Sequence, residues 1–175
     1  AVLHDEAREL MCNAGAEIGP DGIRVHFAPE LIQTLIRTVP SQFTLHARNP
    51  AHNIEIGGDY LSFFMMASAP NASCMDKGRR TGNRVDFQNF LKLSQQHNVL
   101  HGNGGYPCEP VDVHASVRHL DCIYDLLTLT DKSFCIYSLG AERNQDAIEM
   151  TRIGRGVSVD EMKEQPSVWT VINTN

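Results

Sequence analysis

A chain of 175 residues with 42% hydrophobic and 21% charged side chains has the composition of a globular domain with its own core, which excludes a disordered or low-complexity segment. The net charge of −6 and pI of about 5.7 exclude an electrostatic grip on a nucleic-acid backbone. Neutralising phosphates takes clustered Lys and Arg, and the only dense group is Lys77, Arg79, Arg80 and Arg84.

At the N-terminus, AVLHDEARELM is charged within its first few residues and carries no apolar h-region, so it does not read as a secretory signal. No apolar run approaches the roughly 20 residues of a membrane span, and the longest is of buried-strand length. Neither a membrane nor a nucleic acid is an expected partner. Residues 1–14 read as a helix closed by Gly15, with no N-cap in front of Ala1, as if the chain opened inside a helix. Pro29 sits at a favoured first-turn position, and Leu31, Ile32, Leu35, Ile36 and Val39 recur at helical spacing until Pro40. Phe43 to Arg48 and Asn53 to Ile56 alternate apolar and polar residues around the turn formers Asn49-Pro50, which predicts an antiparallel hairpin before Gly57-Gly58. Its polar face suits a cap over a larger body better than a central sheet.

Beyond residue 60 the pattern changes. Short apolar runs start near Leu61, Val99, Phe134 and Val168, spaced by 38, 35 and 34 residues. Helical segments lie between them. The first spans 86–97, with Phe87, Phe90 and Leu91 on one face. The second starts at a candidate N-cap, Asp112, and carries Val117, Leu120, Tyr124 and Leu127 as its apolar stripe. The third runs from about Glu142 to Arg155, and a short fourth opens with capping-box spacing at Ser158 and Glu161 and stops at Pro166. Buried strands alternating with amphipathic helices predict βαβ units and a parallel sheet, hence an α/β fold. The near-constant period matches barrel units, since about 250 residues shared among eight gives roughly 31 each. The expected organisation is a helical and hairpin cap over 1–60 and about four strands of a (β/α)8 TIM-type barrel over 61–175.

Each run ends in small or polar residues: Ser68-Ala-Pro70, Gly102-Asn-Gly-Gly105, Ser138-Leu-Gly140 and Asn173-Thr-Asn175. In a parallel barrel these ends share the face where active sites are built. Ser68, Gly102, Asn103, Ser138 and Asn173 are therefore the candidate substrate-binding residues, weighed against the plainer reading that strands end in turn formers. The Gly102–Gly105 run lacks both GxGxxG and GxxxxGK[ST], and prolines follow it instead of a helix, so it reads as a backbone wall beside a small substrate rather than a phosphate loop. Cys108, His114, His119 and Cys122 are soft ligands at poor spacing, and no metal site is expected. The five cysteines form no CxxC pair and suit a reducing cytoplasm better than a disulfide framework. Lys77-Gly-Arg-Arg80 reads as a solvated loop before an anion clamp. Phe63, Phe64, Tyr106, Tyr137 and Trp169 read mainly as core, although aromatic faces at a barrel mouth hold quaternary ammonium groups by cation–π attraction.

Phe43-Thr-Leu-His-Ala-Arg-Asn-Pro50 followed by Ile56-Gly-Gly58, Gly78-Arg-Arg80 with Asp86, and Val171-Ile-Asn-Thr-Asn175 together resemble the trimethylamine:corrinoid methyltransferase family, along essentially the whole chain. The resemblance implies a barrel enzyme that moves one methyl from a methylated amine, trimethylamine or a quaternary amine such as glycine betaine, to the Co(I) corrinoid (cobalamin) of a separate carrier protein. It implies a barrel with more strands than these residues hold, so the chain reads as an N-terminal portion, inactive alone. Some members place pyrrolysine in the later half. Catalytic residues are not identifiable, and a homo-oligomer stays open. Two other readings are carried: a small doubly wound domain binding a nucleotide or acid near Gly102–Gly105, and a non-catalytic binding module.

Overall fold

The computed structural model describes residues 1–137 and 139–172. Contacts divide the chain into two units, Ala1–Ser41 and Gln42–Asn175.

The first unit holds α1 (Asp5–Asn13), the two-residue strands β1 (Glu17–Ile18) and β2 (Val25–His26), and α2 (Pro29–Ile36). Asp5 and Glu6 in the first turn of α1 complement the helix dipole in place of a capping side chain. The β1–β2 turn is held by Asp21, whose carboxylate accepts from the Arg24 and Ile23 amides at 2.9 and 3.1 Å and is thereby kept below the usual carboxylate range. Helix α2 starts at Pro29 as its sequence predicts but ends at Ile36, before Val39-Pro40. Ala16 is the only residue of this unit that is buried.

The second unit begins with the predicted hairpin. Strands β3 (Gln42–Leu45) and β4 (Ile54–Gly57) pair antiparallel with Phe43 opposite Ile56 and Leu45 opposite Ile54. The turn is a short 3-10 segment, Pro50–His52, whose Ala51 amide donates to the Asn49 side chain at 3.1 Å. It is anchored from below by the Asp131 carboxylate, which accepts from Asn49 Nδ2 at 3.1 Å and Gln95 Nε2 at 2.9 Å and lies 2.6 Å from His52 Nδ1. Burial pushes the Asp131 pKa up, but the bonds from Gln95, Asn49 and His52 outweigh it and hold the carboxyl below its ordinary value.

The central sheet contains β5 (Phe64–Met65), β8 (Gly102–Asn103), β9 (Phe134–Cys135) and β10 (Val168–Trp169). All three pairings are parallel, and the spatial order follows the sequence order. The four predicted apolar runs are therefore adjacent strands, each with a much shorter ladder than its run. The order never reverses, so this sheet has no topological switch point of the kind at which doubly wound domains bind nucleotides.

Between β5 and β8 lies a hairpin absent from the sequence expectation, β6 (Asn71–Cys74) with β7 (Gly78–Thr81). Its strands read Asn-Ala-Ser-Cys and Gly-Arg-Arg-Thr, with no apolar alternation to announce them. The basic Lys77-Gly-Arg-Arg80 segment is its turn and second strand, and Arg80 is paired with Asp86 at 2.6 Å.

Three long helices pack on the sheet. Helix α3 (Arg84–Gln96) is capped by Asn83, whose side chain accepts from the Asp86 amide at 2.9 Å, and buries Phe87, Leu91 and Ser94. Helix α4 (Arg118–Leu129) starts six residues beyond the expected cap at Asp112. Asp112 instead accepts from the Arg84 amide at 2.8 Å, serving the first turn of α3. The buried face of α4 also differs from the predicted stripe: His119, Cys122, Ile123, Asp125 and Leu126 are buried, while Val117, Leu120 and Tyr124 are 44%, 38% and 57% exposed. The reason is Asp125, drawn inward by Arg84 Nε at 2.8 Å and Gln88 Nε2 at 3.1 Å, which a hydrophobic pattern cannot register. Helix α5 (Ala141–Arg155) ends at Gly156 in the left-handed conformation, and α6 (Val159–Glu164) has the predicted capping box at Ser158 and Glu161. The core joins α3, α4 and α5 through Phe87, Leu91, Cys122, Leu126, Phe134 and Ala147.

Candidate functional site

Beyond the C-terminal ends of β5, β8 and β9 lies an open cavity of about 510 Å³. Its walls include Ser68, Tyr106, Glu109, Arg118, Tyr137 and Arg143. Ser68 follows β5, Tyr106 and Glu109 follow β8, Tyr137 follows β9, and Arg118 and Arg143 lie in the first turns of α4 and α5. The sheet thus delivers one strand end after another to the same place.

One wall is aromatic. The rings of Tyr106 and Tyr137 lie 4.5 Å apart, tilted by 60°, and Tyr106 also meets Phe87 edge-on at 5.5 Å. Tyr137 Oη is 2.9 Å from Ser68 Oγ. Burial pushes the Tyr106 and Tyr137 pKa values up, and burial also raises the Cys122 thiol that bonds Tyr106 to about 12. At neutral pH this wall is uncharged, both phenols being unionised. Ser68 has φ +67°, a left-handed conformation that costs a non-glycine residue about 1–3 kcal/mol and concentrates at functional sites. Its amide donates to the Tyr106 carbonyl at 2.9 Å, which ties the two strand ends together.

The lining is also ionic. Glu109 accepts from Arg118 Nη1 at 2.5 Å, and Arg118 spends Nε and Nη2 on the Val113 carbonyl at 3.0 and 2.8 Å. His119 is 9% exposed, with Nε2 2.9 Å from Asp146 and Nδ1 buried without a partner. Arg143 makes one hydrogen bond among the described residues, Nη2 to the Ala115 carbonyl at 3.5 Å.

Of the five residues picked out in the sequence, Ser68 lines this cavity. Gly102 and Asn103 sit within β8, just below it. A Cβ at Gly102 would lie 2.8 Å from the Phe64 ring, and one at Gly104 would lie 2.5 Å from the Met65 carbonyl oxygen. These glycines let β5 and β8 close on one another. Asn103 is fully buried, in register with Met65 and Phe134, and neither Nδ2 nor Oδ1 of its side chain has a partner among the described residues. Ser138 and Asn173 lie outside the described residues. Tyr106 and Tyr137 were visible in the sequence only as part of an aromatic set. Glu109, Arg118 and Arg143 were not singled out, because charged residues in loops and first turns are ordinarily solvated. No cluster of three or more His, Cys, Asp or Glu suited to a metal occurs among the described residues.

The family model for Trimethylamine methyltransferase matches residues 1–175. The chain is similar to a glycine betaine methyltransferase from Desulfitobacterium hafniense (strain Y51), 34% identical over 171 residues. That alignment covers 98% of this chain and 35% of the relative, so the chain spans about a third of the length of the curated protein it matches. A match along every residue, together with this level of identity, places the chain in the trimethylamine methyltransferase family.

Proposed function

We propose that the protein to which these residues belong transfers a methyl group from a methylated amine, trimethylamine or a quaternary amine such as glycine betaine, to the Co(I) corrinoid of a carrier protein. The observation that carries this reading is the cavity at the strand ends with its uncharged Tyr106–Tyr137 wall. A quaternary ammonium offers no hydrogen to donate, so it is held by ring faces, at about 0.5–2 kcal/mol per ring. The corrinoid supplies a cobalt nucleophile as the methyl acceptor. The chain's own residues bind the amine, orient one methyl for in-line attack and exclude water, which is positioning rather than proton transfer. As the C–N bond breaks, its electron pair stays on nitrogen, and a quaternary amine departs as a neutral tertiary amine with no acid required.

In this reading residues 61–175 form the first half of a (β/α)8 barrel that residues 1–60 precede. Sequential parallel strands support it. So does the edge contact of Phe64 with Trp169 at 5.2 Å, because their strands are the two outer members of the sheet. In a flat sheet those strands would stand about 14 Å apart, and curling shortens the path between their rings. The substrate-side positions are Ser68, Gly102, Asn103, Ser138 and Asn173, joined by Tyr106 and Tyr137. The test is methylcobalamin formation by the full-length protein with trimethylamine, glycine betaine and related amines. Accumulation with one of them is the expected result. Its absence with all of them, from a folded protein, removes the assignment.

A further inference from the structure

We propose that Arg143 is a specificity residue that binds a carboxylate carried by the substrate, so that the cavity takes zwitterionic quaternary amines in preference to amines without an acid group. The proposal rests on the reading of the cavity as a methylated-amine site.

The lining of the cavity asks for two different chemical groups. The Tyr106–Tyr137 side is uncharged and aromatic and suits a trimethylammonium head. The same lining carries Glu109, Arg118 and Arg143. Glu109 and Arg118 neutralise each other, and the remaining donors of Arg118 are spent on the Val113 carbonyl. Subtracting that pair from two arginines and one glutamate leaves one positive charge, on Arg143.

Arg143 is half-buried, and its single hydrogen bond among the described residues, 3.5 Å to a neutral carbonyl, is at the limit of such a bond. An arginine fork held in a concave wall with its donors largely free matches a carboxylate, which it binds in bidentate fashion. A further feature biases this lining toward an anion. Helix α5 opens at Gly140 with no capping side chain, so the amides of its first turn are unsatisfied by side chains beside Arg143. A trimethylamine molecule would use only the aromatic wall and leave Arg143 unmatched. A molecule with an ammonium at one end and a carboxylate at the other satisfies both.

The experiment uses the full-length protein and two probes that share a trimethylammonium group, glycine betaine with a carboxylate and choline with a hydroxyl. Binding is measured by calorimetry for the natural protein, R143Q and R143K, with melting temperatures recorded to verify folding. The natural protein is expected to favour betaine over choline. R143Q is expected to weaken betaine binding about 10- to 100-fold, the range of a lost charge-assisted hydrogen bond, while choline affinity stays within about twofold. R143K, which keeps the charge but not the fork, is expected to recover part of the loss. Equal losses for both probes, or none for betaine, overturn the role of Arg143. Methylcobalamin formation separates the two claims: transfer from amines with unchanged selectivity in R143Q defeats this proposal alone, whereas a natural protein that neither binds nor demethylates any amine defeats the parent reading as well.

Discussion

At the residue scale, two positions show how local chemistry holds the site's platform. Gly104 is a glycine because the Met65 carbonyl occupies the space a Cβ would need. Gly104→Ala is expected to cost about 1–3 kcal/mol, through overpacking that pushes β5 from β8, and to lower the melting temperature. An unchanged melt would show that the two strands yield without penalty. Asp131 joins the hairpin turn, α3 and the start of β9 through Asn49, His52 and Gln95. Its carboxyl is held below its ordinary value in the folded protein, so the unfolded chain binds the proton more readily. The stabilisation is complete above the unfolded pKa of about 3.9 and is lost as the pH falls through the lower folded value. Asp131→Asn should therefore flatten the fall in melting temperature below about pH 4. An acid limb as steep as that of the natural protein would assign it to other carboxylates.

At the element scale, the N-terminus of helix α3 is served twice, by Asn83 on the Asp86 amide and by Asp112 on the Arg84 amide. Asn83→Ala is expected to cost about 1 kcal/mol and Asn83→Ala with Asp112→Ala about twice that, read by faster hydrogen exchange in the first turn. If the double variant exchanges no faster than the single one, Asp112 contributes nothing to the cap. Helix α4 shows how a polar group rotates an element. The Arg84–Asp125 pair, with Asp125 3% exposed, turns one face inward and leaves the apolar Val117, Leu120 and Tyr124 outward. The side-chain hydrogen bond of Asp125 raises the Arg84 pKa further, so the guanidinium stays charged wherever the protein is folded.

At the scale of the whole molecule, β5 and β10 each have one neighbour in the four-stranded sheet, which leaves an unpaired edge on either side among the described residues. Apolar side chains are exposed as well: Leu61 is 75% exposed, Met66 80% and Ile172 74%. At about 25 cal/mol per Å² a few hundred Å² of such surface is a large fraction of a domain stability of about 5–15 kcal/mol. Residues 1–175 expressed alone are therefore expected to self-associate and to form no methylcobalamin, whereas the longer protein is expected to be active. Sedimentation together with the amine-dependent assay tests this. A monomeric, cooperatively melting and active 175-residue chain would overturn both the half-barrel reading and the expectation of inactivity.

Local periodicity is why so much of the architecture is legible in the chain. The β3–β4 hairpin follows from two-residue alternation around Asn49-Pro50, and α6 from its capping box at Ser158 and Glu161. The α/β class follows from the spacing of the runs at Leu61, Val99, Phe134 and Val168, because each signal depends on neighbours within one element. Family membership was legible for the same reason, through short contiguous segments. The register of α4, the β6–β7 hairpin and the ionic wall of the cavity were decided only in three dimensions. Asp125 is buried because Arg84, 41 residues earlier, neutralises it, and Glu109 is neutralised by Arg118 from the next helix. Arg143 stands out only because Glu109 and Arg118, the other two residues of the ionic lining, are paired with each other, and such pairing is a property of the packed chain that no window of sequence contains.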